Sequence, residues 1–258
     1  MSEYSPHNRT FKVDLFLQKV SNIFFWIILV ISILGPIIQK IVTNYVIVEV
    51  FEMVIMISIP FYFFVDSIQS LILRPLANSI RRNDFIDNSL GSKLSLRKSL
   101  GYYDNDNLNA GLYKLTCNLL ENCFFTLELL KKQTIKILLV PTTFSILILV
   151  FAYCGFKQLS TSILIFQVFF SASIIGKAIN HFILLSGLSN IQNSLSALFV
   201  IQDFKINDIK YESLILKNLL DYETLISRIQ VTIPDKLFDE HNFKLSAEWG
   251  ALKENKNI

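Results

Sequence analysis

The side chains most able to do chemistry in this sequence lie inside its apolar runs. When the run from 160 to 185 is projected as a helix at 100° per residue, four polar side chains fall on one stripe: Gln167, Ser171, Lys177 and His181. An ionisable side chain at the centre of a bilayer costs about 2.5–3.5 kcal/mol unless it faces water or a polar partner. The stripe therefore indicates either the lining of a water-filled path or a set of polar contacts between helices.

Two carboxylates in another apolar run add to this pattern. Glu49 and Glu52 are three residues apart and share one face of the run from 42 to 65. They are candidates to line the same path, although a carboxylate near an interface also reaches the headgroups by snorkelling. For Lys177, an ion pair with an acidic residue of the chain is a further interpretation. Because four helices enclose little lumen, a pore would require a closed homo-oligomer, and we favour a tetramer.

A third set of residues could bind an anion. Between 74 and 100 the chain has six basic residues against two acidic ones, and two tyrosines follow. The candidate ligand-binding residues are Arg81, Arg82, Arg97, Lys98, Tyr102 and Tyr103. Basic side chains beside a membrane attract anionic lipid by about 1 kcal/mol each. The same charges with two tyrosine rings would also suit a short single-stranded oligonucleotide, whose phosphates bind cations and whose bases stack. Both interpretations stand, whereas a net charge of +3 argues against duplex nucleic acid as a partner.

The sequence carries no recognisable catalytic centre. It lacks the P-loop, dinucleotide-binding, nucleophile-elbow and zinc-protease motifs. Its three histidines are scattered and its three cysteines form no C-x-x-C pair, so neither a metal site nor redox chemistry is expected. We therefore expect a protein that is not an enzyme and that uses no cofactor.

The elements that must position these residues are predicted to be transmembrane helices. Hydrophobic residues make up 52% of the 258 residues and charged residues 17%, whereas soluble domains carry roughly 25% charged residues. Since about 20 apolar residues cross a bilayer as a helix, the sequence predicts four spans, at 20–38, 42–65, 137–155 and 160–185. Short connections pair the spans into two hairpins. No stretch alternates as a strand would, so the predicted fold is an all-α membrane protein with a helical cytoplasmic layer.

The distribution of Lys and Arg predicts the orientation of the spans. Three of these residues lie in 1–19, ten in 66–136 and eight in 186–258, whereas each hairpin tip has one. Because positive charge is retained on the cytoplasmic side, we expect both termini and the central segment in the cytoplasm. The predicted domains are a first hairpin with its N-terminal segment, a cytoplasmic helical segment, a second hairpin and a cytoplasmic helical tail: 1–65, 66–136, 137–185 and 186–258.

Three short motifs resemble those of a known family. They are Tyr102-Tyr103-Asp104, the stretch LTCNLLENCFFTLELLKK at 115–132 and the stretch IPDKLF at 233–238. With two hairpins around a cytoplasmic segment, the chain resembles the SMODS-associated four-transmembrane effectors, which accompany nucleotidyltransferases in bacterial anti-phage systems such as CBASS. The resemblance implies a multi-pass effector in the bacterial inner membrane. Its pore would conduct ions under the control of an oligonucleotide, cyclic or short and single-stranded, made by a partner nucleotidyltransferase.

A second class of function fits the same residues. The polar side chains in the spans could serve as contacts between helices, and the cytoplasmic helices could recruit a soluble protein. In that case the chain would be a non-channel membrane subunit. Ion flux through the purified protein in liposomes separates the two hypotheses.

Overall fold

The computed structural model of the chain describes residues 8–41, 45–95, 105, 107–154, 172–229, 233–256 and 258. Within these ranges the regular elements are helical and no strand occurs. The α-helices are α1 (Asn8–Ile41), α2 (Tyr45–Ile68), α3 (Arg74–Leu90), α4 (Leu112–Cys154), α5 (Lys177–Leu198), α6 (Glu212–Arg228) and α7 (Asp235–Lys256). Two π-helical turns, Gln69–Leu73 and Ala172–Gly176, precede α3 and α5. The prediction of an all-helical chain is confirmed for the described residues.

Four described helical stretches are long and apolar enough to cross a membrane, as expected of a multi-pass membrane protein: Arg9–Ile31, Val46–Leu90, Leu112–Val150 and Ile174–Leu198. Some helices are much longer than a bilayer is thick. With 43 residues and a rise of about 1.5 Å per residue, α4 is about 65 Å long, against about 30 Å of hydrocarbon. Part of α4 must therefore lie outside the membrane. In the predicted fourth span, residues 160–171 lie outside the described residues.

The chain divides into two compact units. We call one the span unit, which contains Asn8–Ala77 and Ile137–Ala178. We call the other the core unit, and its described residues belong to Asn78–Lys136 and Ile179–Ile258. Each unit is therefore assembled from parts of the chain that are far apart in sequence.

The core unit is held together by a continuous apolar interior. In α5 the buried residues recur every three or four positions, as one face of a packed helix requires: His181, Leu184, Leu188, Ile191, Leu195 and Leu198. Buried side chains of α5 and of the first part of α4 belong to the same apolar cluster. The helix α7 adds the fully buried Trp249, whose ring lies 5.8 Å from the ring of Phe124. At Gly187 a Cβ would come within 2.7 Å of the Leu225 side chain, so the glycine allows α6 to pack closely against α5.

The span unit has a small interior and an apolar surface. The rings of Phe24 in α1 and Phe61 in α2 lie 4.5 Å apart. The buried side chains of Leu29, Phe144 and Ile174 pack together. Most other large apolar side chains of α2 point outward, as lipid-facing helices do, and Met56 is 71% exposed.

Candidate functional site

The chain between α3 and α4 leaves the end of α3 and returns to it. The N–H of Gly111 donates to the carbonyl of Ser89 at 3.0 Å. A Cβ at Gly91 would lie 3.2 Å from the Cβ of Ala110, and Gly91 has a φ of +72°, the left-handed conformation that commonly ends a helix. We call residues 91–111 the closed loop. A connection of this length between two packed helices is uncommon and is typical of loops that carry function.

The first anchor of the closed loop is the carboxylate of Asp87, which is only 1% exposed. Its Oδ1 accepts hydrogen bonds from the hydroxyl of Ser92 at 2.6 Å and from the N–H of Leu94 at 2.7 Å. Its Oδ2 accepts from the N–H of Ser95 at 2.6 Å. Burial alone would raise the pKa of Asp87, but these hydrogen bonds outweigh it and lower the pKa from 3.8 to about 2. The ionised side chain therefore fixes the start of the loop.

The second anchor is Asn105, which is 1% exposed and fixes the far side of the loop. Its Nδ2 donates to Oδ1 of Asn118 at 2.9 Å and to Oε2 of Glu121 at 2.7 Å. In turn, Nδ2 of Asn118 donates to Oδ1 of Asn88 at 2.9 Å and to Oγ of Ser89 at 3.0 Å. We call these five residues the amide cluster. It joins the end of α3, the closed loop and the first turns of α4.

The two anchors lie, in sequence, on either side of the part of the closed loop that is predicted to bind a ligand. Four of the predicted ligand-binding residues, Arg97, Lys98, Tyr102 and Tyr103, lie between the anchors and outside the described residues. The described residues on both sides of this segment are held by buried hydrogen bonds. A ligand role for these four residues stays a prediction.

Replacing Asp87 with asparagine should loosen the start of the closed loop. The variant has the same shape, but its NH2 group must face a backbone N–H, which should cost about 1–3 kcal/mol. Hydrogen exchange at the amides of Leu94 and Ser95 should accelerate about tenfold, since about 1.4 kcal/mol is a factor of ten.

In the native protein the anchor formed by the Asp87 carboxylate should be present at pH 5. It should be lost as the pH falls from about 4 to about 2, because the folded-state pKa of Asp87 is lowered.

The matched control is Asp239→Asn, at an exposed position in α7. It should leave exchange at Leu94 and Ser95 unchanged. If Asp87→Asn behaves in the same way as this control, Asp87 does not anchor the loop.

The other two predicted ligand-binding residues lie in α3. Two hydrogen bonds, at 2.9 and 2.8 Å, join Nη2 of Arg81 to the carboxylate of Glu223, and the guanidinium lies 5.7 Å from the centre of the Tyr222 ring. Both side chains of this ion pair are largely buried, with 13% and 9% exposed. Arg82 is exposed. A ligand role for Arg81 stays a prediction, and such a ligand would have to compete with Glu223 for the guanidinium.

The predicted pore-lining residues fall in different surroundings. Lys177 is the first residue of α5, belongs to the span unit and is exposed. Its ammonium group interacts electrostatically with the carboxylate of Asp66. His181, in the core unit, is 3% exposed, and its Nε2 lies 2.9 Å from Oγ1 of Thr134. The Thr134 hydroxyl donates to a backbone carbonyl, which leaves its oxygen to accept from an Nε2–H of His181.

The remaining predicted pore-lining residues are only partly described. Glu49 and Glu52 are exposed in α2. Gln167 and Ser171 lie outside the described residues. A path lined by all six predicted side chains therefore stays a prediction.

A buried polar group in the span unit was missed in the sequence. Asp14 is 2% exposed, and its Oδ1 lies 3.5 Å from Nε of Arg74. The Nε2 of Gln69 donates to the carbonyl of Asp14 at 2.8 Å and lies 3.3 Å from its Oδ1. Gln69 is the first residue of a π-helical turn and Arg74 follows that turn, a feature that is frequent at functional sites. The available signal was a glutamine and an arginine at the end of an apolar run.

The described residues contain no group of three or more His, Cys, Asp or Glu side chains that could hold a metal ion. The chain matches no protein-family model, no curated protein and no solved structure.

Proposed function

We propose that this chain is an anti-phage defence effector of the bacterial inner membrane. Its span unit would form an ion-conducting pore in a homo-oligomer, with a tetramer favoured. Its closed loop would bind an oligonucleotide, cyclic or short and single-stranded, made by a partner nucleotidyltransferase. The observation that carries the proposal is the closed loop itself, which is anchored at Asp87 and at Asn105 and has basic and tyrosine side chains between these anchors.

A physical connection between loop and membrane supports this proposal. The amide cluster includes Asn118 and Glu121 in the first turns of α4, and α4 continues as one helix to Cys154 through the third predicted span. A ligand that binds one loop arrangement more tightly than another would bias the position of this helix. A difference of about 1.4 kcal/mol would shift the pore equilibrium tenfold.

The proposed topology places both termini and the closed loop in the cytoplasm and the hairpin tips outside. It rests on the distribution of Lys and Arg. Single cysteines replacing Thr43 and Gln158 should react with a membrane-impermeant reagent in intact cells, whereas cysteines replacing Ser92 and Glu254 should react only after lysis. Reaction at position 92 from outside would contradict the topology.

The pore is tested by Lys177→Leu in liposomes that contain the purified protein. If Lys177 lines a water-filled path, the loss of one positive charge per subunit should change the ion preference or the oligonucleotide-dependent flux. Accumulation of the protein should hold or rise, since the substitution removes a charge from an apolar helix. The measurement is the reversal potential under a salt gradient, with and without oligonucleotide.

The matched control addresses Asp66, whose charge acts on Lys177. If Lys177 serves only to pair with Asp66, Lys177→Leu should reduce accumulation and leave ion preference unchanged. The double variant Lys177→Leu, Asp66→Asn should then restore accumulation. That outcome, or a monomeric mass in mild detergent with flux retained, would contradict the proposed pore.

A further inference from the structure

One face of α1 carries an acid that is turned into the span unit. Asp14 is the only acidic residue of α1, and it is 2% exposed. Its side chain lies against Gln69 and Arg74, which follow α2 in the chain. The negative charge of α1 is therefore held on the buried side of the helix.

The opposite face of α1 is basic. At 100° per residue, the basic side chains at positions 9, 12 and 19 fall within about 80° of one another, and their centre lies about 180° from Asp14. Arg9, Lys12 and Lys19 are exposed, and Phe16, which lies between the two lysines, is 64% exposed. Because Asp14 is on the far side, no acidic side chain of α1 balances these three charges.

The same face continues along α1 as an apolar surface. Ile23 is 57% exposed and Val30 is 48% exposed, and both lie within about 40° of Lys19 around the helix. Residues 20–39 contain no Asp, Glu, Lys or Arg. As one helix they are about 30 Å long, which equals the thickness of the hydrocarbon layer. Lys19 therefore lies at one boundary of that layer, and Lys12 lies about 10 Å beyond it along the helix.

These dimensions fit one lipid molecule in one leaflet. Val30 is 11 residues from Lys19, or about 16 Å along the helix, which is about half of the hydrocarbon thickness. An acyl chain that packs on Ile23 and Val30 therefore places its headgroup beside Lys19 and Lys12. Because this end of the face is basic, it favours an anionic headgroup over a zwitterionic one.

We propose that the outer face of α1 binds an anionic phospholipid. This face consists of Arg9, Lys12, Phe16, Lys19, Ile23 and Val30. The two lysines bind the phosphate of the headgroup, and the apolar part packs against one acyl chain. The site requires neither a pore nor an oligonucleotide, and its residues differ from the basic residues between 74 and 100.

The test measures which lipid contacts Trp26. This ring is seven residues from Lys19, on the same side of α1, and is 39% exposed, whereas Trp249, the other tryptophan, is buried in the core unit. Bromine atoms on an acyl chain quench the fluorescence of a tryptophan that they touch. The full-length protein is placed in bilayers of phosphatidylglycerol and phosphatidylcholine with matched chains, and one of the two lipids is brominated at a time. At low salt, quenching should show at least a fivefold preference for phosphatidylglycerol.

Lys12→Gln with Lys19→Gln should reduce this preference to less than twofold. The melting temperature should stay that of the native chain, because both side chains are exposed. The matched control, Lys236→Gln with Lys244→Gln, makes the same change of net charge at exposed positions of α7 and should keep the native preference.

Equal quenching of the native protein by the two lipids would overturn the proposal. A preference that the Lys12, Lys19 variant retains, or that the control loses to the same extent, would overturn it too. Quenching by neither lipid would show that protein covers this face of α1, which also contradicts a lipid site.

Discussion

Replacing Asn118 with leucine should lower the melting temperature of the core unit by about 10 °C. Asn118 is fully buried, and its side chain makes one hydrogen bond as acceptor and two as donor within the amide cluster. Leucine has a similar size but cannot donate a hydrogen bond. Oδ1 of Asn88 and Oγ of Ser89 would therefore lose the hydrogen bonds that they accept from Asn118. Each buried group left unsatisfied costs about 1–3 kcal/mol, so the total should be about 3–5 kcal/mol. For a unit of this size, each kcal/mol corresponds to about 2–4 °C.

The matched control is Asn193→Leu, because Asn193 also lies in a helix of the core unit but is exposed. Thermal unfolding of both variants is followed in detergent by the fluorescence of Trp249, which is buried in the same core. Asn193→Leu should leave the melting temperature within about 1–2 °C of the native value, as surface substitutions usually do. Similar melting temperatures for the two variants would show that the amide cluster does not stabilise the core unit.

The helical architecture could be predicted because it depends on composition and on local patterns. Apolar runs of about 20 residues require helices in a bilayer. The helix α4 contains residues 137–154 of the third predicted span. The presence of these helices could therefore be predicted from residues that are neighbours in the sequence.

The contacts that define the candidate site could not be predicted in the same way. Arg81 and Glu223 are 142 residues apart, and nothing near either residue in the sequence indicates the other. The sequence pattern between 74 and 100 predicts that Arg81 can bind an anion. In the structure the charge of Arg81 is neutralised by Glu223 within the core unit. The amide cluster was missed for a related reason. Asn105 lies in a polar stretch, which ordinarily indicates a solvent-exposed turn, and only tertiary packing buries its side chain against Asn118.

Reversing two charges in the closed loop should weaken oligonucleotide binding at least tenfold. Arg97 and Lys98 lie between the two anchors in sequence, so we expect them to contact phosphates of the ligand. Each lost phosphate contact on a single strand should reduce the slope of log affinity against log salt by about 0.7, so Arg97→Glu with Lys98→Glu should reduce it by about 1.4. Tyr102→Leu and Tyr103→Leu should each remove about 1–3 kcal/mol of base stacking and leave that slope unchanged.

The decisive measurement is isothermal titration of the full-length protein with cyclic and single-stranded oligonucleotides at two salt concentrations. The matched control is Lys236→Glu with Lys244→Glu, which makes the same change of net charge at exposed positions of α7. Because long-range attraction depends on net charge, this control should lower affinity slightly, whereas the loop variant should lose specific contacts as well. If the basic residues serve only anionic lipid, the native protein should bind none of these oligonucleotides, and binding to anionic vesicles alone should fall in the loop variant. That outcome would remove the oligonucleotide from the proposed function, whereas a loss of slope confined to the loop variant would place the phosphates at Arg97 and Lys98.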